Sequence, residues 1–342
     1  MTVEPILEVE NLTTTFAVRG GLFRRPIALH AVNDVTFALA GGETLGVVGE
    51  SGCGKSTLGR SILRLIEPSK GRVVWQGRDL TSLDAAAMRK ARRELQIIFQ
   101  DPIASLDPRM TVGAIIAEPL RVTEPGLSRR ERRARVESAM DEVGLAPEFV
   151  NRYPHEFSGG QAQRIGIARA IITRPKLIVC DEPVSALDVS IQAQITNLLK
   201  DLRERLGLTL IFISHDLSVV RLVSDRILVL YLGRLVENGP ARAVFERPAH
   251  PYTRALLSAA PIPDPKVARA RRRVILKGDP PSPLEPPSGC VFRTRCPIAQ
   301  PVCATGVPPL VTVGPAGDRH EAACLFPEVA ETRPGALKIA AA

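Results

Sequence analysis

Eight consecutive residues, Gly49-Glu50-Ser51-Gly52-Cys53-Gly54-Lys55-Ser56, constrain the fold of this chain more than any other stretch. They fit the pattern G-x-x-x-x-G-K-[ST]. The residues before them, Thr44-Leu45-Gly46-Val47-Val48, form a short apolar run that suits a buried strand. After them, from Thr57 to Ile66, the apolar positions Leu58, Ile62, Leu65 and Ile66 recur at helical spacing. A strand end, a glycine-rich turn and a helix start are what such a loop needs to work. Glycines let successive backbone N–H groups turn inward on an anion, and the helix N-terminus adds a favourable field. Lys55 would reach the β- and γ-phosphates of a nucleotide, and the Ser56 hydroxyl would ligate Mg²⁺. A chance glycine-rich turn is the bland alternative, and both flanks argue against it.

The chain of 342 residues is long enough for two or three domains. Its 45 basic and 36 acidic residues give a net charge of +9, which suits nucleic acid, an anionic membrane face, phosphate ligands or simply a solvated surface. Met1-Thr2-Val3-Glu4-Pro5 has neither a basic nor an apolar leader region, and no run of 18 apolar residues occurs. The expectation is therefore a chain without a secretory signal that reaches a membrane only through a partner or its surface. Six cysteines in such a chain imply a reducing compartment and no structural disulfides.

Along the chain, Leu7-Glu8-Val9-Glu10 and Val35-Thr36-Phe37-Ala38-Leu39 alternate as half-exposed strands do. From about 101 to 165 the pattern turns helical and polar, with Ser128 to Val143 a charged helix capped by Ser128 and stopped by Gly144. Leu177-Ile178-Val179-Cys180 and Leu208 to Ile213 are continuous apolar runs, as in strands buried on both faces of a parallel sheet. Gln192 to Leu206 reads as the crossover helix between them, and 226–231 with 234–238 as a closing hairpin around Gly233. Beyond about 240 the composition shifts. Pro261-Ile262-Pro263-Asp264-Pro265, Arg269 to Arg273 and Pro280-Pro281-Ser282-Pro283 indicate a loop-rich appendage, whose arginines are a solvated connector or a contact for acidic lipid or RNA.

The apolar run at 177–180 ends in Asp181-Glu182. In a parallel α/β sheet ligands sit beyond the carboxyl ends of the strands, so Asp181 would face the Mg²⁺ and Glu182 would orient or deprotonate an attacking water. A capping pair at a strand–helix turn is the alternative. Phe157-Ser158-Gly159-Gly160-Gln161 precedes an apolar-striped helix over 162–172. Ser158 reads as its N-cap, and the same start, with the amides of Gly159 and Gly160, could face a γ-phosphate.

With these motifs the chain resembles the ATP-binding cassette ATPases over residues 1 to about 245. Their signature begins Leu-Ser-Gly-Gly-Gln, and Phe157 departs from it at the first place. The resemblance implies an α/β P-loop NTPase fold: a RecA-like core with an antiparallel β subdomain over 1–100 and 166–245, a helical subdomain carrying the signature over 101–165 that contacts the permease, and a loop-rich C-terminal extension over 246–342. It assigns ATP binding to Phe16, Gly49, Ser51, Gly52, Cys53, Gly54, Lys55, Ser56, Thr57 and Asp181, with Phe16 stacking on adenine unless it is an ordinary core residue. Mg²⁺ is given to Ser56, Gln100 and Asp181. Catalysis is given to Glu182, His215 and Gln100, with His215 as the switch on the γ-phosphate. A polar strand-end residue is the alternative for Gln100 and a helix cap the alternative for Asp188, which the resemblance places in the loop that crosses the dimer interface. Ser158, Gly159, Gly160 and Gln161 then act in trans on ATP held by another subunit.

Three features resemble the subgroup serving dipeptide and oligopeptide importers. They are Ile98 to Val112, His250-Pro251-Tyr252-Thr253, and an insertion at Gly20 to His30, and the wording Ala104 to Arg109 is nearer the "F" than the "D" type. The implied partners are a second, different cassette, two transmembrane permease subunits and an extracytoplasmic substrate-binding protein, with no direct nucleic acid contact. The implied place is the cytoplasmic face of the plasma (inner) membrane, held peripherally. Nickel or oligosaccharide import is the alternative cargo. A soluble cassette ATPase acting on nucleic acid or ribosomes, or a cassette that binds ATP without hydrolysis, is the alternative of another class.

Cys290, Cys296, Cys303 and Cys324 are spaced C-x5-C-x6-C-x20-C, which matches neither a zinc ribbon nor the tight ferredoxin run. By spacing they read as reduced, partly buried thiols. The subgroup resemblance, through Gly289 to Pro297, implies a [4Fe-4S] cluster, with zinc and free thiols as the alternatives. Cys53 and Cys180, inside nucleotide motifs, read as small packing residues.

Overall fold

The structure, a computed structural model, describes residues 4–18, 26–260, 274, 276, 278–314 and 319–327. Pro261 to Pro265, Arg269 to Arg273 and most of the Gly20 to His30 insertion lie outside the described residues. The strands in chain order are β1 (Pro5–Val18), β2 (Ile27–Ala40), β3 (Thr44–Val48), β4 (Lys70–Trp75), β5 (Arg78–Asp79), β6 (Leu95–Ile98), β7 (Leu177–Asp181), β8 (Thr209–Ile213), β9 (Arg226–Tyr231), β10 (Arg234–Pro240), β11 (Val311–Thr312) and β12 (Glu321–Ala322). The α-helices are α1 (Lys55–Ile62), α2 (Ala85–Ala91), α3 (Val112–Thr123), α4 (Arg129–Glu142), α5 (Gly159–Ile171), α6 (Val189–Leu206), α7 (Leu217–Val223), α8 (Ala241–Glu246) and α9 (Pro251–Ala259). The chain forms two compact units. One comprises the residues up to Leu7 with Leu39–Thr44 and Trp75–Ser214, and the other Glu8–Ala38, Leu45–Val74 and the residues from His215 onward.

The first unit is built on parallel strands in the order β8-β7-β6. Leu95 pairs with Leu177 and Ile98 with Cys180, and on the other side Leu177 pairs with Thr209 and Asp181 with Ile213. Every residue of β7 and β8 is buried, which is why both read as unbroken apolar runs. The charged helix is α4, and Ser128 caps it in a reciprocal box: its hydroxyl accepts from Glu131 N, and the Glu131 carboxylate accepts from Ser128 N at 2.9 Å. The region is less polar than expected, because α3 buries Val112, Ile115, Ile116, Ala117 and Leu120. α3 also carries Pro119, whose carbonyl accepts from the Thr123 hydroxyl at 2.9 Å. α6 starts at Val189, three residues before the expected Gln192.

The second unit holds β2-β1-β4 and, separately, the order β11-β12-β10-β9-β3. β3 runs parallel to β9, with Leu45 opposite Arg226 and Val48 opposite Val229. β9 and β10 form the expected hairpin, with a bulge between Leu235 and Glu237. Helix α1 stops at Ile62, short of Ile66, because Arg64 takes a left-handed backbone (φ 48°) and leaves Leu65 exposed. The appendage is not wholly loop. Its strand β12 pairs antiparallel with β10, Ala322 opposite Glu237 and Glu321 opposite Asn238.

This pairing is supported by a buried polar knot. Glu237, fully buried, accepts from Ala249 N at 2.8 Å and His250 N at 2.9 Å, and its Oε1 lies 2.7 Å from His320 Nε2. A buried carboxylate is tolerable only when its oxygens are met in this way.

Candidate nucleotide-handling site

In the second unit the phosphate loop leaves the fully buried β3 and enters α1. Gly54 shows why a glycine is required. Its φ is +104°, and a Cβ there would lie 2.0 Å from the Ala31 carbonyl oxygen. Lys55 is 5% exposed, and its ammonium donates to the carbonyls of Gly49 (2.9 Å) and Glu50 (3.0 Å), closing the loop on itself. The Cys53 amide donates to Glu50 O at 3.2 Å and the Cys53 carbonyl accepts from Gly233 N at 2.9 Å, so the turn is fastened on both sides. Cys53 is buried and burial pushes its thiol up, in keeping with a packing residue. Ser51 and Gly52 are exposed at the loop tip, while Ser56 and Thr57 stand half-buried in the first turn of α1. Phe16, on β1, is 37% exposed and so is not a core phenylalanine. His215 is exposed at the turn that leads into α7.

In the first unit β7 delivers Asp181 fully buried at its carboxyl end, with half-buried Glu182 next in the chain. Glu182 holds a left-handed backbone (φ 47°), unusual for a non-glycine residue, and its amide donates to Ile213 O at 3.0 Å. Its carboxylate accepts from Gln100 Nε2 at 3.1 Å. Cys180 is buried between apolar strands, and burial, with the Asp181 charge second, pushes its thiol up to about 12.

Ser158, exposed, caps α5. Its hydroxyl accepts from Gln161 N at 3.4 Å and its amide donates to Gln161 Oε1 at 3.1 Å. Gly159 and Gly160 form the first turn, and a Cβ on Gly160 would lie 2.6 Å from Ile191 Cγ2. Phe157 is buried, its ring set edge-on to Phe149 at 5.5 Å, which gives the departure from leucine a packing role. Asp188 stands at the N-cap position of α6 but is exposed and makes no capping bond, so the capping alternative does not account for it.

The phosphate loop and the Asp181-Glu182 pair belong to separate compact units. Within them the fold joins Gln100 to Glu182 and Ser158 to Gln161. It also brings Cys290, Cys296, Cys303 and Cys324 to one pocket with His250 and Phe292. Burial pushes the Cys290 and Cys324 thiols up and that of Cys296 up to about 11, which favours the protonated form at neutral pH. Among the described residues no three His, Cys, Asp or Glu side chains are arranged to hold a metal ion. The donor chemistry suits iron or zinc, but the arrangement does not fit either, and the expectation of a cluster is not supported.

Sequence reasoning passed over the residues of the extension that meet the loop. Glu50 carries the signal that could have found them, since an acid inside a phosphate-binding turn calls for a cation. Arg295 supplies it, its guanidinium 2.8 Å from the Glu50 carboxylate. No helix among the described residues is long and apolar enough to cross a membrane.

Residues 32–185 match the ABC transporter family, and residues 236–303 match the oligopeptide/dipeptide transporter C-terminal region. The chain is 56% identical to the oligopeptide transport ATP-binding protein OppF of Salmonella typhimurium, over 94% of this chain and 96% of that one. It is 55% identical to the OppF of Haemophilus influenzae, over 94% and 97%. Among solved structures it is similar to the ATP-binding cassette MJ0796 in a dimeric post-hydrolysis state bound to ADP and Pi. That likeness has a TM-score of 0.61 at 32% identity and covers 69% of this chain and 99% of that one. Motifs, fold and relatives agree: the chain belongs to the ATP-binding cassette family of ABC transporters, in the group that carries the oligopeptide/dipeptide transporter C-terminal region.

Proposed function

We propose that this chain is the ATP-binding and ATP-hydrolysing subunit that powers import of di- or oligopeptides through separate transmembrane subunits. One observation carries the reading: a complete set of cassette motifs and the peptide-transporter C-terminal region occur in one chain, aligned almost end to end with proteins named for oligopeptide transport.

In this reading Lys55 and the amides of the phosphate loop bind the β- and γ-phosphates, and Phe16 offers its exposed face to adenine. Ser56, Gln100 and Asp181 bring a hydroxyl, an amide oxygen and a carboxylate, the hard oxygen donors that Mg²⁺ takes. Bound there, Mg²⁺ supplies charge neutralisation on the phosphates. Glu182 orients the attacking water and accepts its proton, and its bond from Gln100 aims the carboxylate. His215 donates to the γ-phosphate. Ser158 with the amides of Gly159 and Gly160 closes on ATP held by another cassette, and Asp188 lies along that dimer face. Binding then joins two cassettes, and hydrolysis parts them.

The partners that follow are a second cassette, two permease subunits and an extracytoplasmic binding protein, with the chain held peripherally on the cytoplasmic face of the membrane. Affinity purification of the chain from membranes should bring down multi-span permeases, and the reconstituted complex should hydrolyse ATP faster when peptide-loaded binding protein is added. A complex that never consumes ATP, or a chain that comes down with ribosomes in place of permeases, refutes the reading.

A further inference from the structure

Glu50 poses a charge problem. It is the second residue of a loop whose task is to surround a triphosphate, and a free carboxylate there opposes the incoming anion. The fold answers it from the far end of the chain. Arg295 Nη1 donates to both carboxylate oxygens of Glu50, at 3.1 Å and 2.8 Å, and also lies 3.4 Å from the Tyr231 hydroxyl. The Arg295 side chain is 9% exposed and that of Glu50 29%, so solvent screens the pair only partly. Burial works against the guanidinium charge, yet the bonds to Glu50 and Tyr231 outweigh it and hold its pKa above the ordinary value.

The backbone of Glu50 is held as well. Its amide donates to the Tyr252 hydroxyl at 2.7 Å, and its carbonyl accepts from Lys55 at 3.0 Å. Tyr252 is itself fixed, its ring 4.7 Å from Tyr231 and 5.4 Å from Phe292. Glu50 therefore has its amide and its carboxylate set by residues that lie beyond position 230.

We propose that Arg295 is a positioning residue for nucleotide binding, which cancels the Glu50 charge and, with Tyr252, holds the first turn of the phosphate loop in the form that accepts a triphosphate. The role rests on the ATP-binding reading above. It makes the C-terminal extension part of the nucleotide site and not only an appendage to it.

The test uses the assembled transporter containing the full-length chain, with hydrolysis followed against MgATP concentration. Saturable hydrolysis by the wild-type complex tests the ATPase reading by itself. Against that control, R295M raises KM for MgATP about tenfold, R295K restores most of the loss, and the double variant R295M/E50Q returns KM to within about twofold of wild type. An unchanged KM in R295M overturns the proposal. So does a double variant as weak as R295M, because Arg295 would then act through folding of the extension and not through Glu50. If R295M does not assemble, E50Q alone decides. It leaves the Arg295 cation unshared beside the loop, so KM falls, and a rise in KM overturns the proposal.

Discussion

Gln100 Nε2 donates to Glu182 Oε2 at 3.1 Å, joining the end of β6 to the residue that follows β7. The bond fixes the direction of a carboxylate whose own backbone is held in a left-handed conformation. Glu182→Gln should keep ATP binding and lose turnover by about a hundredfold or more, the scale of a lost general base. Parallel measurement of nucleotide binding and phosphate release checks both halves, and near-normal turnover removes Glu182 from the mechanism.

Ser158 has a structural duty that can be separated from its proposed one. As the cap of α5 its loss should cost about 1 kcal/mol of stability, so Ser158→Ala should unfold at only slightly lower denaturant. If Ser158 also closes on ATP held by another cassette, hydrolysis by the assembled complex should fall more than tenfold. A loss of activity no larger than the loss of folded protein leaves capping as its whole role.

Glu237→Leu should destabilise the chain by about 3 kcal/mol or more, since each buried donor left without its acceptor costs about 1–3 kcal/mol. The substitution strands the Ala249 and His250 amides and the His320 ring without their acceptor. Chemical denaturation reads this directly. A cost under about 1 kcal/mol means that the knot contributes little.

His250 gives a pH signature. It is 1% exposed, and burial holds its pKa down at about 4 despite the opposing pull of Glu237. Its Nδ1 accepts from Tyr252 N at 3.1 Å, a bond available only to the neutral ring. The unfolded chain takes up a proton below about pH 6.5 that the folded chain refuses. Stability should therefore fall as the pH drops from about 6.5 to about 4, by up to about 3 kcal/mol. His250→Asn keeps a side-chain oxygen for the cap and removes the titration. Its denaturation midpoint should shift less between pH 7 and pH 5 than that of the wild type, and equal shifts contradict the assignment.

The elements legible in the sequence are those whose cause is local. Leu177 to Asp181 and Thr209 to Ile213 are buried on both faces, so the pattern shows without knowledge of their neighbours. Ser128 and Glu131 announce α4 by their spacing alone. The phosphate loop was legible because its backbone conformations demand glycine at fixed places, as at Gly54. What stayed hidden depends on distant partners. β12 is two residues long and exists through pairing with β10, 83 positions away in the case of Asn238 and Glu321. Arg295 and Glu50 are 245 residues apart, and no periodicity signals such a pair. Helix α1 ended early because Arg64 turned left-handed, which no propensity of arginine foretells. The subgroup resemblance, and not the cysteine spacing, led toward a metal, whereas the fold gathers the thiols at a pocket where the described residues show no ligand arrangement.

β12 has one more consequence. Laid along β10, it covers backbone N–H and C=O groups that would otherwise face water as a bare sheet margin. A protein cut before residue 311 would expose that margin beside Glu237 and Asn238, a ready template for another strand. Loss of residues 311–342 would then show first as self-association of the cassette, before any failure of its chemistry.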